Sequence, residues 1–81
     1  MIINGILFEK ALIERLYRCC NSNYGKVEED IESGRLKAIA DKDGKIFVRF
    51  YDYDVKNGND MAICEDGTLI RNEEKIQEIF G

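Results

Sequence analysis

The chain has 81 residues, 44% of them hydrophobic and 35% charged, and its 16 acidic and 12 basic side chains leave a formal net charge of −4. That length predicts a single domain over 1–81, able to bury only about 60 to 65% of the surface its unfolded chain exposes, and the acidic balance disfavours direct nucleic-acid binding while favouring a basic partner. Three cysteines, Cys19, Cys20 and Cys64, and no histidine exclude a disulfide framework and a zinc site, and no cofactor is expected. No run approaches the roughly 18 apolar residues of a membrane span, and the N-terminus lacks the basic start of a signal peptide, so a cytoplasmic protein without membrane contact is expected.

The spacing predicts a helix from Phe8 to Cys20. Phe8, Leu12, Ile13, Leu16, Cys19 and Cys20 fall on one arc, with Lys10, Glu14 and Arg18 as a charged ladder opposite. Asn4 and Gly5 are positioned to cap it, leaving Met1 to Ile3 as a lead-in or edge strand. Glu9 sits on the apolar arc and reads as a first-turn acid at the positive end of the helix dipole, in preference to a catalytic carboxylate. A second, short helix is expected where Tyr24, Val27 and Ile31 align, with Glu28, Glu29 and Asp30 early and Gly34 at the C-terminal cap.

Three strand-like runs follow, 36–40, 46–54 and 61–64, then a short one at 68–70, separated by hairpin signals. Asn72 can cap a final helix whose first turn holds Glu73 and Glu74 and whose apolar face is Ile76, Ile79 and Phe80. The expected fold is therefore α+β: two N-terminal helices, an antiparallel meander of three or four strands, and a short C-terminal helix.

The turns set the register. A two-residue Asp43-Gly44 turn would put Lys37 and Asp41 on the face of Ile46, Val48 and Phe50. A three-residue Lys42-Asp43-Gly44 loop with Gly44 left-handed instead pairs Asp41 with Lys45 and brings Leu36, Ala38 and Ala40 to that face. An Asn57-Gly58 turn pairs Tyr53 with Ala62 and Asp52 with Ile63, adding Met61 and Ile63 to the same core. The opposite face then carries Lys37, Ile39, Phe47, Arg49, Tyr51, Tyr53, Ala62 and Cys64. Lys37 lies directly opposite Arg49, a like-charge pair that an acidic group would relieve. One long and two short helices are expected to cover one face, leaving the Phe47/Arg49/Tyr51/Tyr53 face largely open; the competing expectation folds one helix, such as the C-terminal one, over it.

Chemistry is sparsely signalled. Without histidine the cysteines read as structural thiols, and Ser22 and Ser33 have no base beside them. The acids of 41–44 and 52–60 fail the calcium-loop pattern, because Phe50 stands where the ligating Glu would follow Gly44; a weak magnesium site from Asp52, Asp54 and Asp60 is the remaining metal option, and with it a metal-dependent phosphodiesterase. Arg49 between aromatics on an open sheet suggests base stacking in a single-stranded nucleic-acid-binding domain, but the RNA-recognition motif is absent and acids crowd the strand ends.

Tyr and Arg are enriched where proteins dock. The favoured function is a small acidic non-catalytic protein-binding module, an inhibitor or adaptor, with Phe47, Arg49, Tyr51, Tyr53, Lys37, Asp52 and Asp54 as partner-binding residues. The partner would be a basic or nucleic-acid-binding protein, or a second copy forming a homodimer. In size and charge alone, the chain resembles small phage-encoded inhibitors of bacterial defence nucleases.

Overall fold

A computed structural model describes residues 1–20, 22, 24–51 and 61–81. Two short strands come first, β1 (Ile2–Ile3) and β2 (Ile6–Leu7), followed by helix α1 (Lys10–Cys19) and a 3-10 turn at Tyr24–Lys26 that leads into α2 (Val27–Ser33). Then come β3 (Leu36–Ala40), β4 (Ile46–Phe50), β5 (Met61–Cys64) and β6 (Leu69–Ile70), and finally α3 (Glu73–Phe80). β3 to β6 form one antiparallel sheet in chain order, and β1 and β2 form a separate hairpin. No helix among the described residues is long and apolar enough to cross a membrane.

The N-terminal hairpin replaces the expected helix cap. Asn4 and Gly5 both take positive φ, 52° and 79°, which is the backbone of a two-residue hairpin turn, and Ile3 pairs with Ile6 across it. The Asn4 side chain is then placed to accept the backbone N–H of Ala38 at 2.9 Å. That N–H lies on the outer strand of the sheet, so Asn4 blunts an edge that would otherwise invite pairing with another chain. Helix α1 starts two residues later than the periodicity predicts. Glu9 is its N-cap and is exposed, and the Glu9 carbonyl accepts from Leu12 and Ile13. Phe8 precedes the helix and is buried beside it.

The β3–β4 hairpin has the predicted register. Asp41 N–H donates to the Lys45 carbonyl at 2.8 Å, Gly44 sits at φ 80°, and Leu36 and Ala38 pair with Phe50 and Val48. The Asp41 carboxylate fixes the loop by accepting from the N–H groups of Asp43 and Lys45. The β4–β5 register differs from the one that Asn57-Gly58 predicts: Ala62 pairs with Arg49 and Ile63 with Val48, so the partners move by four residues. The predicted register would have set Phe50 opposite Glu65 and Val48 opposite Gly67. The observed one matches four buried residues of β5 to the apolar run of β4. Because the shift is even, every side chain keeps its face.

On one face α1 packs against β4 and β5, and α2 against β3. This main core contains Ile13, Leu16, Leu36, Val48, Phe50 and Ile63, and the N-terminal hairpin closes it with Ile3. On the other face α3 lays Ile76 against Phe47, Ala62, Cys64 and Ile70, with Ile39, Ile79 and Phe80 at the margin. The expectation that this face stays largely open is therefore corrected at its Phe47 end, where Phe47 is only 7% exposed. All four residues of β5 are buried, as a central strand between two apolar layers requires. Eight residues of helix suffice because, among the described residues, five buried side chains make up this second core.

Candidate surface at the uncovered end of the sheet

Helix α3 covers only part of the second face. Toward the start of β3 and the end of β4 the sheet continues beyond it, since Tyr51 N–H donates to the Arg35 carbonyl at 2.7 Å and prolongs the ladder by one pair. Lys37 and Arg49 face each other in the β3–β4 register as predicted. Arg35, Lys37, Arg49 and Tyr51 thus gather at one end of the sheet, where with Gly34 they line a cleft of about 250 Å³.

Arg49 is held by rings. Its guanidinium carbon lies 5.0 Å from the centroid of Tyr51 and 5.8 Å from that of Phe80, within the range of cation–π attraction. The Arg35 guanidinium lies similarly over Phe50, at 5.5 Å. Phe80 reaches Arg49 because the apolar stripe of α3 runs Ile76, Ile79, Phe80, so the last residue of the helix meets the rim of the covered area.

Arg49 and Tyr51 also line a second depression, an open groove whose other wall is Glu73, Glu74, Gln77 and Glu78. These residues are on the polar side of α3 and are exposed. The Arg49–Tyr51 pair is therefore a ridge between two flanks of opposite charge: Lys37 on the β3 side, three carboxylates of α3 on the other. Tyr51 is one of three large apolar or aromatic side chains reaching high exposure among the described residues, at 39%.

Of the sequence-derived binding residues, Lys37, Arg49 and Tyr51 come together here. Phe47 does not join them, being buried under α3. Asp52, Tyr53, Asp54 and Asp60 lie outside the described residues. Among the described residues no group of three potential metal ligands converges. Arg35, Phe80 and the α3 acids are additions. Arg35 continues the period-two series 37, 39 in sequence, but its guanidinium reaches Phe50 on the other face, and the arrival of Phe80 and the glutamates depends on where α3 docks.

Elsewhere, Cys19, Cys20 and Cys64 form no disulfide; Cys20 and Cys64 are buried and Cys19 is half-buried. Asp66 accepts the backbone N–H of Thr68 at 2.9 Å, and that bond, with a smaller contribution from Lys45, whose ammonium lies 3.7 Å away, holds its carboxyl down at about 2. This belongs to the β5–β6 turn and is remote from the ridge.

No protein-family model matches the chain, and no curated protein or solved structure shows significant similarity to it.

Proposed function

We propose that the chain is a non-catalytic protein-binding module, of the inhibitor or adaptor kind, that docks through the Arg49–Tyr51 ridge and its two charged flanks. The observation that carries this reading is Arg49 placed between the rings of Tyr51 and Phe80 where, among the described residues, the sheet extends past helix α3. Stacking restricts both side chains before a partner arrives, which lowers the ordering cost of binding. Tyr and Arg are also the residues that most often dominate docking energetics. Flanks of opposite sign orient the partner and reject those with the wrong charge pattern.

The test is affinity capture from a lysate of the source organism with wild type, Tyr51→Glu, and Lys42→Glu in the distant β3–β4 loop as a surface control. A protein retained by wild type and Lys42→Glu but lost with Tyr51→Glu is the expected result. Identical capture by all three would refute the reading.

A second reading, single-stranded nucleic-acid binding, is favoured by one observation: the cleft brings Lys37 and Arg49 together beside the exposed Tyr51 ring. It predicts binding of an oligonucleotide at low salt that weakens steeply as salt rises. The carboxylates across the groove weigh against it, since phosphates would be repelled there.

A further inference from the structure

The two cores lie on opposite faces of one sheet, and their covers are held very differently. On the main face α1 buries Ile13, Leu16 and Tyr17. On the second face α3 buries Ile76, with Ile79 and Phe80 half-buried at the margin. Helix α3 meets the sheet through that stripe and through Phe80, whose ring centroid lies 5.8 Å from the Arg49 guanidinium carbon. It is joined to β6 by Arg71 and Asn72, both exposed. Its eight residues are too few to stay helical away from the sheet, so a departing α3 unfolds and regains chain entropy, which favours opening. The main core contains no residue of α3 and keeps its own cover when α3 leaves.

We infer that α3 is a hinged cover, opening about Arg71 and Asn72 while the main core stays folded, and that this opening regulates the docking surface. The regulatory consequence rests on the docking reading above. Lifting α3 takes Phe80 away from Arg49 and removes Glu73, Glu74 and Glu78 from the groove. The ridge therefore has its second ring and its acidic flank only while α3 is shut. A partner that grips this wall binds the shut form and holds it shut. The catch is the Asn72 side chain, which accepts the Lys75 N–H and stabilises the first turn of the helix.

Cys64 reads the opening directly, since it is 2% exposed in the core beneath α3. In a Cys19→Ser/Cys20→Ala background it is the only thiol, and its reaction with an excess of an aromatic disulfide is followed at increasing urea below the unfolding transition. Departure of one short helix exposes little surface. Labelling at low urea is therefore expected to depend only weakly on urea and to run about tenfold or more faster than global unfolding permits. Two further substitutions separate the cover from the rest of the fold. Asn72→Ala is expected to speed labelling about fivefold. Ile13→Val, in the main core, lowers global stability and is expected to leave low-urea labelling unchanged, where a global route would speed it about two- to tenfold.

Labelling that follows global unfolding at every urea concentration and is accelerated by Ile13→Val overturns the hinged cover. So does labelling that Asn72→Ala leaves unchanged, because the reagent then reaches the thiol through the cleft of about 150 Å³ that Cys64 lines beside Lys45 and Lys75. The docking reading fails separately, when Tyr51→Glu and the wild type capture the same proteins whether or not α3 opens.

Discussion

The Tyr17 hydroxyl donates to Oδ2 of Asp30 at 2.6 Å, joining α1 to α2 in a site where Tyr17 is 1% and Asp30 8% exposed. The Tyr17 ring also meets Tyr24 and Phe50 edge-on, with centroids 5.5 and 5.1 Å away. Burial, and then the hydrogen bond to Asp30, push the Tyr17 hydroxyl far above its ordinary 10.0. Removing the hydroxyl leaves the carboxylate without this donor, so Tyr17→Phe should cost about 1 to 3 kcal/mol in urea unfolding.

The same pair sets an alkaline limit. A folded-state value raised above the unfolded one means that the contribution of Tyr17 is complete below pH 10 or so, where both states are protonated, and is lost as the unfolded chain ionises at higher pH. Stability should fall there by up to about 1.4 kcal/mol per pH unit from this group. Tyr17→Phe should flatten that limb without abolishing it, because burial also raises Tyr24, with Glu14 adding to the effect. Thermal unfolding followed by circular dichroism across pH 9 to about 11 reads the difference.

Helix α3 depends on a single side-chain cap. The Asn72 Oδ1 accepts from the Lys75 N–H at 3.1 Å, and Asn72→Ala should cost about 1 kcal/mol, whereas Asn72→Asp should be nearly neutral. Loss of the cap also loosens the cover over Phe47. Amide exchange at Phe47 and Ala62 should accelerate in the alanine variant, while exchange in α1 should follow only the global change in stability.

Ile76 and the Ile2–Leu7 pair separate core from surface among residues of similar hydrophobicity. Ile76 is 1% exposed at the centre of the second core, so Ile76→Ala should destabilise by about 2 to 5 kcal/mol. Ile2 and Leu7 face each other across the N-terminal hairpin at 67% and 71% exposure. Ile2→Thr and Leu7→Lys should each change stability by no more than about 0.5 kcal/mol in the same denaturation experiment.

Gly34 and Gly44 distinguish backbone strain from steric contact. Both hold left-handed φ, 83° and 80°, but a Cβ at Gly34 would stand 3.3 Å from Cε of Lys37, while one at Gly44 would meet nothing within 4 Å. Gly44→Ala should cost about 1 kcal/mol from conformation alone. Gly34→Ala should cost more, and it should shift the Lys37 side-chain resonances, since that methylene must move aside.

Much of this molecule is local and was therefore legible. Gly34 ends α2, Asn72 starts α3 and the Asp41–Gly44 loop fixes the β3–β4 register, because each depends on the φ preference or side-chain hydrogen bonds of residues close in sequence. Alternation then placed Lys37, Arg49 and Tyr51 on one face. Asn4-Gly5 was equally local, but the same two residues serve as a helix start or a hairpin turn, and only the pairing of Ile3 with Ile6 chooses between them.

What tertiary structure decided was everything that depends on a partner distant along the chain. The β4–β5 register follows from matching two buried runs, which outweighs the preference of one turn. Asp30 reads as a helix-start acid until α1 brings Tyr17 to it. The period-two pattern of β4 shows that both faces carry large side chains, yet no local rule tells which part of the second face is covered. Docking of α3 makes that division: it buries Phe47, brings Phe80 to Arg49, and leaves Lys37, Arg49 and Tyr51 at the rim beside a row of glutamates. A short helix has one apolar stripe and can cover only that much of a sheet, and the Arg49–Tyr51 rim is what the length of α3 leaves beyond its own cover.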